Sequence, residues 1–446
     1  MYRRLALLAL FLLVARTARA DDGAYVVLVG VGHDDPYHAA AVTLAKHHHT
    51  KHVLPFDPAK PEALLDELRE IRPAHVAIVV RPEQIEVNSV RRFLRFATML
   101  DDDPFVDFAH GWITGANAEE AVAFVRRIVK AQRTTWPELV CRASVSGGTG
   151  GSRMSDDTYR VGPLSWPSRR LSFVPPDGTH GRDQAFIDEH LSRLEGCGAL
   201  MLGGHGMPWE IGSGPRAEDV AKLDLFPAVA FNYACYTGVT HVWPQRENER
   251  GGYVYRLHEV ELERSFALAI LRSGVTGYVG YVNPRPAGPE MTTEFQRVLA
   301  GTSLGATRRR DYDKIALGYL GFGEPGIVPP VWVDGERHPR SEVDPVRHMM
   351  LDGATGGILY GDPAHRPYPA HPRALPLQSK AKRKGDELHV TLTLKAAQTN
   401  EIQKVIRDLR EAHGLEDARY WEGVRRFALV VWETWHRTAI FDVRFD

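Results

Sequence analysis

The sequence predicts an α/β protein in which a mostly parallel sheet is flanked by helices. Short runs rich in Val, Ile and Leu, such as 25–31 and 75–80, alternate with segments of helical spacing. This alternation is typical of strand–helix–strand units, whose strands pair in parallel. The runs are apolar throughout, which is typical of strands buried on both faces. With 446 residues the chain is too long for one small core, so we expect more than one domain.

Helical patterns follow these strands in the first third of the chain. Within 61–71, apolar residues recur at helical intervals, and Pro61 stands at the start, where a helix accepts proline. A second helix is expected from Asn117 to Lys130, because Asn117 is a favourable N-cap residue and Glu120 follows it three positions later.

The same alternation continues in the middle of the chain. We predict strands at 139–145, 199–202, 228–233 and 275–282. Helices are predicted at 183–194, 262–272 and 290–316. Between them, 147–182 is interpreted as a long loop. The stretch 318–376 is rich in Gly and Pro without a regular period, and 379–385 is interpreted as a basic linker.

Four segments of the chain are distinguished on this basis. They are a signal peptide at 1–20, an N-terminal α/β subdomain at 21–140, a catalytic subdomain at 141–376 and a small C-terminal β-rich domain at 386–446.

The N-terminus has the three parts of a secretory signal peptide. Arg3 and Arg4 form a positive n-region, 5–15 is an apolar h-region, and Ala18-Arg19-Ala20 is a small-x-small cleavage pattern. A membrane-spanning helix needs roughly 20 apolar residues, and this run is shorter. We therefore expect cleavage after Ala20 and a secreted or periplasmic protein with no integral membrane anchor.

Charge and cysteine content limit the expected partners. Lys and Arg number 55 and Asp and Glu 56, so the net charge of −1 gives no electrostatic basis for binding nucleic acid. The cysteines are Cys141, Cys197 and Cys235, an odd number in a chain expected to reach an oxidising compartment. Either Cys141 and Cys197 pair and Cys235 stays free, or all three are buried thiols.

Two buried strands that follow one another end in chemically reactive residues. One leads into Gly-Gly-His205-Gly206 and the other into Ala-Cys235. In open parallel sheets, ligands bind at the carboxyl ends of the strands. A cysteine nucleophile needs a nearby base, such as imidazole, to form thiolate. This arrangement predicts His205 and Cys235 as a catalytic dyad, with the backbone N–H groups of Gly206 and Cys235 as the oxyanion hole.

The segments ALMLGGHGMPWEIGSG (199–214) and FPAVAFNYACYTG (226–238) resemble the catalytic segments of gingipain-type cysteine peptidases, a group with the caspase-like fold. In that family one apolar strand ends in His-Gly, often with Trp shortly after, and the next ends in Ala-Cys, followed soon by Gly. The matching positions here are His205, Gly206, Trp209, Ala234, Cys235 and Gly238. Flanking phrases at 101–128, 265–282 and 359–369 extend the resemblance.

The resemblance implies a caspase-like catalytic subdomain and a cysteine-type endopeptidase that cleaves protein or peptide substrates through a thioester, without a cofactor or metal. Two alternatives stay open. The chain is also compatible with a catalytically inactive exported binding protein that has a caspase-like fold, and with a metal-dependent hydrolase.

Other histidine and glycine patterns have simpler interpretations. His47-His48-His49 with His52 is the only dense histidine group, but no acidic or cysteine ligand stands nearby in sequence, so we interpret it as a solvated helix end. His180 is expected in a loop. The run 28–32, LVGVG, lacks the full dinucleotide-binding spacing and is expected to be a plain strand exit. The GxSxG pattern of serine hydrolases is absent.

Overall fold

The computed structural model describes most of the chain up to residue 368 and three short segments beyond it. The described ranges are 23–101, 105–133, 142–147, 152–161, 164–173, 183–212, 214–249, 252–284, 290–299, 301–315, 337–339, 355–368, 378–384, 387–394 and 442–445. These residues form two compact units. The larger takes 23–160 and 165–370, and the smaller takes the remaining segments.

The strands are, in chain order, β1 Ala24–Val29, β2 Val53–Pro55, β3 Pro73–Val79, β4 Ala109–Ile113, β5 Arg142–Gly147, β6 Arg153–Val161, β7 Leu164–Phe173, β8 Ala199–Gly203, β9 Val229–Asn232, β10 Val242–Glu249, β11 Gly252–Glu259, β12 Gly277–Tyr281, β13 Arg337–Pro339, β14 Gly357–Gly361, β15 Gln378–Lys384, β16 Glu387–Leu394 and β17 Asp442–Phe445.

The α-helices are α1 His38–His47, α2 Leu65–Ile71, α3 Val87–Phe96, α4 Ala118–Arg133, α5 Gln184–His190, α6 Ala217–Val220, α7 Phe266–Arg272, α8 Glu290–Leu299 and α9 Leu304–Ile315. They connect successive strands, and α1, α7 and α9 pack against β1, β12 and β4, respectively.

The larger unit contains one 11-stranded sheet in the order β2-β1-β3-β4-β14-β12-β9-β8-β5-β7-β6. Strands β2, β1, β3, β4 and β14 are mutually parallel. Strands β12, β9, β8, β5 and β7 are also parallel to one another. β14 and β12 pair antiparallel, so the two groups run in opposite directions. The predicted α/β class, a mostly parallel sheet flanked by helices, is confirmed.

Both groups have the same order of parallel strands. We number the first four parallel strands of each group in chain order. From the outer edge of each group inward, their spatial order is second, first, third and fourth: β2-β1-β3-β4 and β7-β5-β8-β9. In this doubly wound order the direction of chain progression reverses between the first and third strands, and binding sites form at the carboxyl ends close to that reversal. In the second group β8 and β9, the third and fourth strands of this order, lead to His205 and Cys235.

The central strands are buried as their composition predicts. All seven residues of β3 and all five of β8 are buried. The predicted helix at 61–71 is a 3₁₀ turn over Pro61–Leu64 followed by α2. The predicted cap of α4 is also confirmed, since the Glu120 N–H donates to Asn117 Oδ1 at 3.0 Å and the Glu120 carboxylate accepts the Ala116 N–H at 3.2 Å.

Three segments that we expected to be irregular contain strands. The stretch 147–182 includes β6 and β7, 318–376 includes β13 and β14, and the supposed basic linker at 379–385 overlaps β15. β14 has only three apolar residues between glycines, too few to give a period. The charged sequence of β15 favours a linker, but its pairing with β16 makes it a strand.

Two smaller sheets complete the description. β10 and β11 form an antiparallel hairpin, and β13 pairs with β11. In the smaller unit, β15 and β16 are antiparallel and β17 pairs with β16 in parallel. The predicted β-rich character of the C-terminal region agrees with these strands. Most of the predicted C-terminal domain, from 395 to 441, lies outside the described residues, and the domain boundaries stay predictions.

Candidate functional site

The carboxyl ends of β8 and β9 bring the two candidate residues to one edge of the sheet. The strands pair in parallel with Leu202 opposite Asn232, and the Tyr233 N–H donates to the Leu202 carbonyl at 2.9 Å. His205 lies three residues after Leu202, and Cys235 lies three residues after Asn232. Parallel strands leave the sheet in the same direction, so the two residues occupy equivalent positions on adjoining loops.

Gly206 shows how closely these loops approach each other. A Cβ atom on Gly206 would lie 2.4 Å from the Cys235 carbonyl oxygen and 2.6 Å from the Ala234 Cβ. Only glycine leaves room for this approach. Gly204 precedes His205 with a φ of 127°, a conformation that L side chains rarely adopt, and so allows the turn at the end of β8. His205 is exposed and Cys235 half-buried, so both are accessible to a ligand.

The loop after Cys235 is anchored on β12. The Tyr236 N–H donates to the Asn283 carbonyl at 3.3 Å, and the Gly238 N–H donates to the Tyr281 carbonyl at 2.8 Å. Tyr236 has a φ of 61°, unusual for a non-glycine residue, which turns the chain sharply after the cysteine. Gly238 faces Gly280, and a Cβ on Gly280 would lie 2.9 Å from the Gly238 Cα. This loop is therefore packed backbone against backbone.

An aromatic cluster connects the loop of His205 with the loop of Cys235. Trp209 lies on the first loop and Tyr236 on the second, and Trp243 at the start of the hairpin contacts both. The ring centroids are 5.8 Å apart for Trp209 and Trp243 and 5.0 Å for Tyr236 and Trp243, both edge to face. The Arg264 guanidinium lies 5.6 Å from the Trp209 ring centroid. Met207, directly after Gly206, is 40% exposed and adds apolar surface beside the site.

A buried ion pair contacts the residues just before Cys235. The Tyr233 hydroxyl donates to the Glu294 carboxylate, which also forms an ion pair with Arg308. Burial raises the pKa of Glu294 well above its usual range, although the positive charge of Arg308 opposes this shift. The Arg308 guanidinium also lies 5.8 Å from the Tyr281 ring centroid. Tyr233 is therefore fixed by a side-chain contact two residues before Cys235.

The cysteines differ in state. Cys197 is disulfide-bonded and buried, whereas Cys235 is a free cysteine. Cys141 lies outside the described residues. The free state of Cys235 agrees with the first of the two alternatives drawn from the sequence, and the second is wrong, because Cys197 is not a thiol.

The histidine run at the end of α1 is not a simple solvated helix end. The His48 ring forms a 2.7 Å hydrogen bond to the buried carboxylate of Asp362, and the His47 ring is hydrogen-bonded to Gln132. The same carboxylate accepts hydrogen bonds from Gln132 at 2.6 Å and from the Tyr25 hydroxyl at 2.8 Å. The expected solvated helix end therefore holds for the exposed His49, whereas His48 is bonded to Asp362 and His47 to Gln132, two residues distant in sequence.

The remaining candidates from the sequence are placed as follows. The run 28–32 comprises the end of β1 and the loop after it, as expected of a strand exit. His180 lies outside the described residues, as does the predicted signal peptide. Among the residues described, no helix combines the length and apolarity that a membrane span requires.

Comparison with solved structures identifies remote similarities over most of the chain. A complex of Porphyromonas gingivalis RgpB pro- and mature domains is 10% identical, with 80% of this chain and 82% of that chain covered and a TM-score of 0.48. The Arg specific cysteine proteinase gingipain R (RGPB) is 12% identical, with 81% and 82% covered and a TM-score of 0.48. The Saccharomyces cerevisiae separase–securin complex is 9% identical, with 66% and 17% covered and a TM-score of 0.35.

No protein-family model matches the sequence, and no curated protein is significantly similar to it. The chemistry of this chain is therefore inferred from its own residues.

Proposed function

We propose that this chain is an exported cysteine-type endopeptidase in which Cys235 is the nucleophile and His205 the proton-transfer residue. The observation that carries the proposal is the parallel register of β8 and β9, which sets both residues three positions beyond the pair Leu202 and Asn232. The approach of Gly206 to the Cys235 carbonyl brings the two loops into direct contact. Acyl transfer requires a nucleophile and a base within reach of each other, and adjoining strand ends support that arrangement here.

The reaction follows from the roles of these groups. His205 takes the thiol proton as the Cys235 sulfur attacks the carbonyl carbon of a peptide bond. The N–H groups of Gly206 and Cys235 donate to the negatively charged oxygen that develops. His205 then gives its proton to the leaving amine, and a thioester remains on Cys235. Water loses a proton to His205 as it attacks the thioester, which releases the carboxyl product and restores the thiol.

The test is hydrolysis of a mixed peptide library by purified protein, with cleavage products identified by mass spectrometry. Cys235→Ala and His205→Ala should each lower the rate by about 10³-fold or more, and the double variant should be little slower than either single one. Cys235→Ser should also be severely impaired, because a hydroxyl is a much poorer nucleophile than a thiolate.

A matched control is His33→Ala, which removes an exposed histidine from the loop after β1 and should leave hydrolysis unchanged. Thermal melting should show that all of these variants are folded. Iodoacetamide under native conditions should label Cys235, the free cysteine, in the unmodified protein. Full hydrolysis by a folded Cys235→Ala protein would end the cysteine-peptidase interpretation.

A further inference from the structure

Four hydrogen bonds form a closed ring around the residues that carry the candidate thiol. The Ala234 N–H donates to Asn232 Oδ1 at 3.0 Å, and Asn232 Nδ2 donates to the Tyr278 hydroxyl at 3.0 Å. The Tyr278 hydroxyl donates to the Thr237 carbonyl at 2.8 Å. The Thr237 hydroxyl closes the ring by donating to the Ala234 carbonyl at 2.8 Å. Cys235 therefore lies between two backbone positions that are held by the same pair of side chains.

Because these side chains are buried, water cannot replace their hydrogen bonds. The side chains of Asn232, Thr237 and Tyr278 are completely buried, so none of their polar atoms can exchange a partner for bulk water. The orientation of each group is also determined. The Tyr278 proton goes to a carbonyl, so its oxygen must accept from the Asn232 amide, and the Asn232 oxygen then faces the Ala234 N–H. A single change at Tyr278 therefore disturbs both sides of the loop.

We propose that Asn232 and Tyr278 are positioning residues that hold the backbone from Ala234 to Thr237 and so aim the Cys235 thiol and N–H group. Neither side chain touches the substrate. The inference rests on the proposed function, in which Cys235 is the nucleophile. We refer to the two side chains as the Asn232–Tyr278 brace.

The brace acts where small displacements matter most. Cys235 supplies both the sulfur and one oxyanion donor, and the two must be correctly placed at once relative to His205. Misplacement of reacting groups by about 1 Å can cost about 100-fold in rate. The residue after the cysteine, Tyr236, has a φ of 61°, so the loop needs outside support to keep its conformation. Without the brace we expect the loop to relax away from the geometry that serves catalysis.

The experiment compares Tyr278→Phe with Tyr37→Phe in the full-length protein. Tyr37 is a matched control, because its buried hydroxyl also donates to a backbone carbonyl, that of Gly115 in the loop after β4, at 3.0 Å. Both variants lose one buried tyrosine hydroxyl, so both should lower the melting temperature. Only Tyr278→Phe should lower kcat, by about 10- to 100-fold, with little change in KM.

A second measurement tests the brace independently of the proposed function. The rate of Cys235 alkylation by iodoacetamide at pH 7 needs no peptide substrate and should fall about 10-fold in Tyr278→Phe but not in Tyr37→Phe. If the unmodified protein cleaves no peptide, or if Cys235→Ala still does, the proposed function fails while alkylation still decides the brace. Equal alkylation in Tyr278→Phe and Tyr37→Phe overturns the brace.

Thr237→Val provides a smaller change in case Tyr278→Phe does not fold. It removes only the hydroxyl that closes the ring to Ala234 and keeps the side-chain shape. Its alkylation rate should fall in the same direction as that of Tyr278→Phe. In a double-variant comparison, Asn232→Ala with Tyr278→Phe should be little slower than Asn232→Ala alone, because both break the same ring. Unchanged alkylation in a folded Thr237→Val protein overturns the proposal.

Discussion

At the scale of single residues, the candidate site depends on positions that have no reactive group. Gly206 allows the two loops to meet, and Asn232 and Tyr278 support the cysteine from behind. Asn232 is completely buried in an otherwise apolar strand end. A polar residue inside a buried apolar run is a signal that the sequence offers, because such residues need a partner. Its partner, Tyr278, lies 46 residues away along the chain, and no spacing rule predicts that contact.

Gly206→Ala is the most direct test of loop contact. The added methyl group would lie 2.4 Å from the Cys235 carbonyl oxygen, and because backbone faces backbone, the loops must separate. We expect loss of most peptide hydrolysis and destabilisation by about 1–3 kcal/mol from overpacking. Urea unfolding and product formation would be measured together. Gly32→Ala is the control, because no atom lies within 4 Å of its added carbon, and a similar loss there would contradict this account.

At the scale of helices and strands, the sequence predicts the elements with strong local signals. The buried runs at 75–80, 199–202 and 228–233 correspond to β3, β8 and β9, because continuous apolar residues mark central strands. The run 357–361 has no such signal, and its position in the sheet comes from pairing with β12, whose residues are far away in sequence. The hairpin β10–β11 has a polar sequence and was not predicted. Tertiary contacts therefore define β14, which joins the two groups of strands, and the separate sheet that contains β10 and β11.

The start of α4 gives a prediction at this scale. Asn117 Oδ1 accepts the Glu120 N–H at 3.0 Å, one of the N–H groups that a helix leaves without an internal partner. Asn117→Ala should lower the free energy of unfolding by about 1 kcal/mol, whereas Asn117→Ser should retain most of it. Chemical denaturation would measure both. The alkylation rate of Cys235 should not change, because α4 begins at the end of β4 in the other half of the sheet. Equal stability of the alanine and serine variants would refute the cap.

At the scale of the whole molecule, buried ionisable groups make stability depend on pH. His365 is 1% exposed, and its ring forms a 3.1 Å hydrogen bond with the Thr276 hydroxyl. That hydroxyl donates to the Pro227 carbonyl at 3.0 Å, so the His365 Nε2–H is the donor in its contact with Thr276. Burial lowers the pKa of His365 from 6.5 to about 4; the negative charge of Asp362 opposes this shift and a smaller contribution from His47 adds to it. The folded protein therefore resists protonation at a site that the unfolded chain protonates readily.

The sign of this effect is fixed by which state binds the proton. Between pH 6.5 and about 4 the unfolded chain binds a proton at His365 that the folded protein does not, so acidification favours unfolding. The loss begins near pH 6.5, levels off below about 4 and amounts to at most about 3–4 kcal/mol. His365→Gln should reduce the change in urea midpoint between pH 7 and pH 4, while exposed His33→Gln should not. An unchanged pH dependence in His365→Gln would show that the pKa of this histidine is not lowered in the folded protein.

The place of β14 determines how late in synthesis the large sheet can be completed. β14 lies between β4 and β12 and pairs with both, yet it is the last strand of the large sheet to leave the ribosome. Until then the two groups of strands have no shared neighbour, and β4 and β12 each present an open edge to any other extended chain. The Tyr360 hydroxyl on β14 donates to the Gly238 carbonyl at 2.6 Å, so the loop of Cys235 also receives its last support at this moment. A nascent chain would carry both His205 and Cys235 for more than a hundred residues of synthesis before β14 is made, and the loop of Cys235 would lack this support throughout that interval.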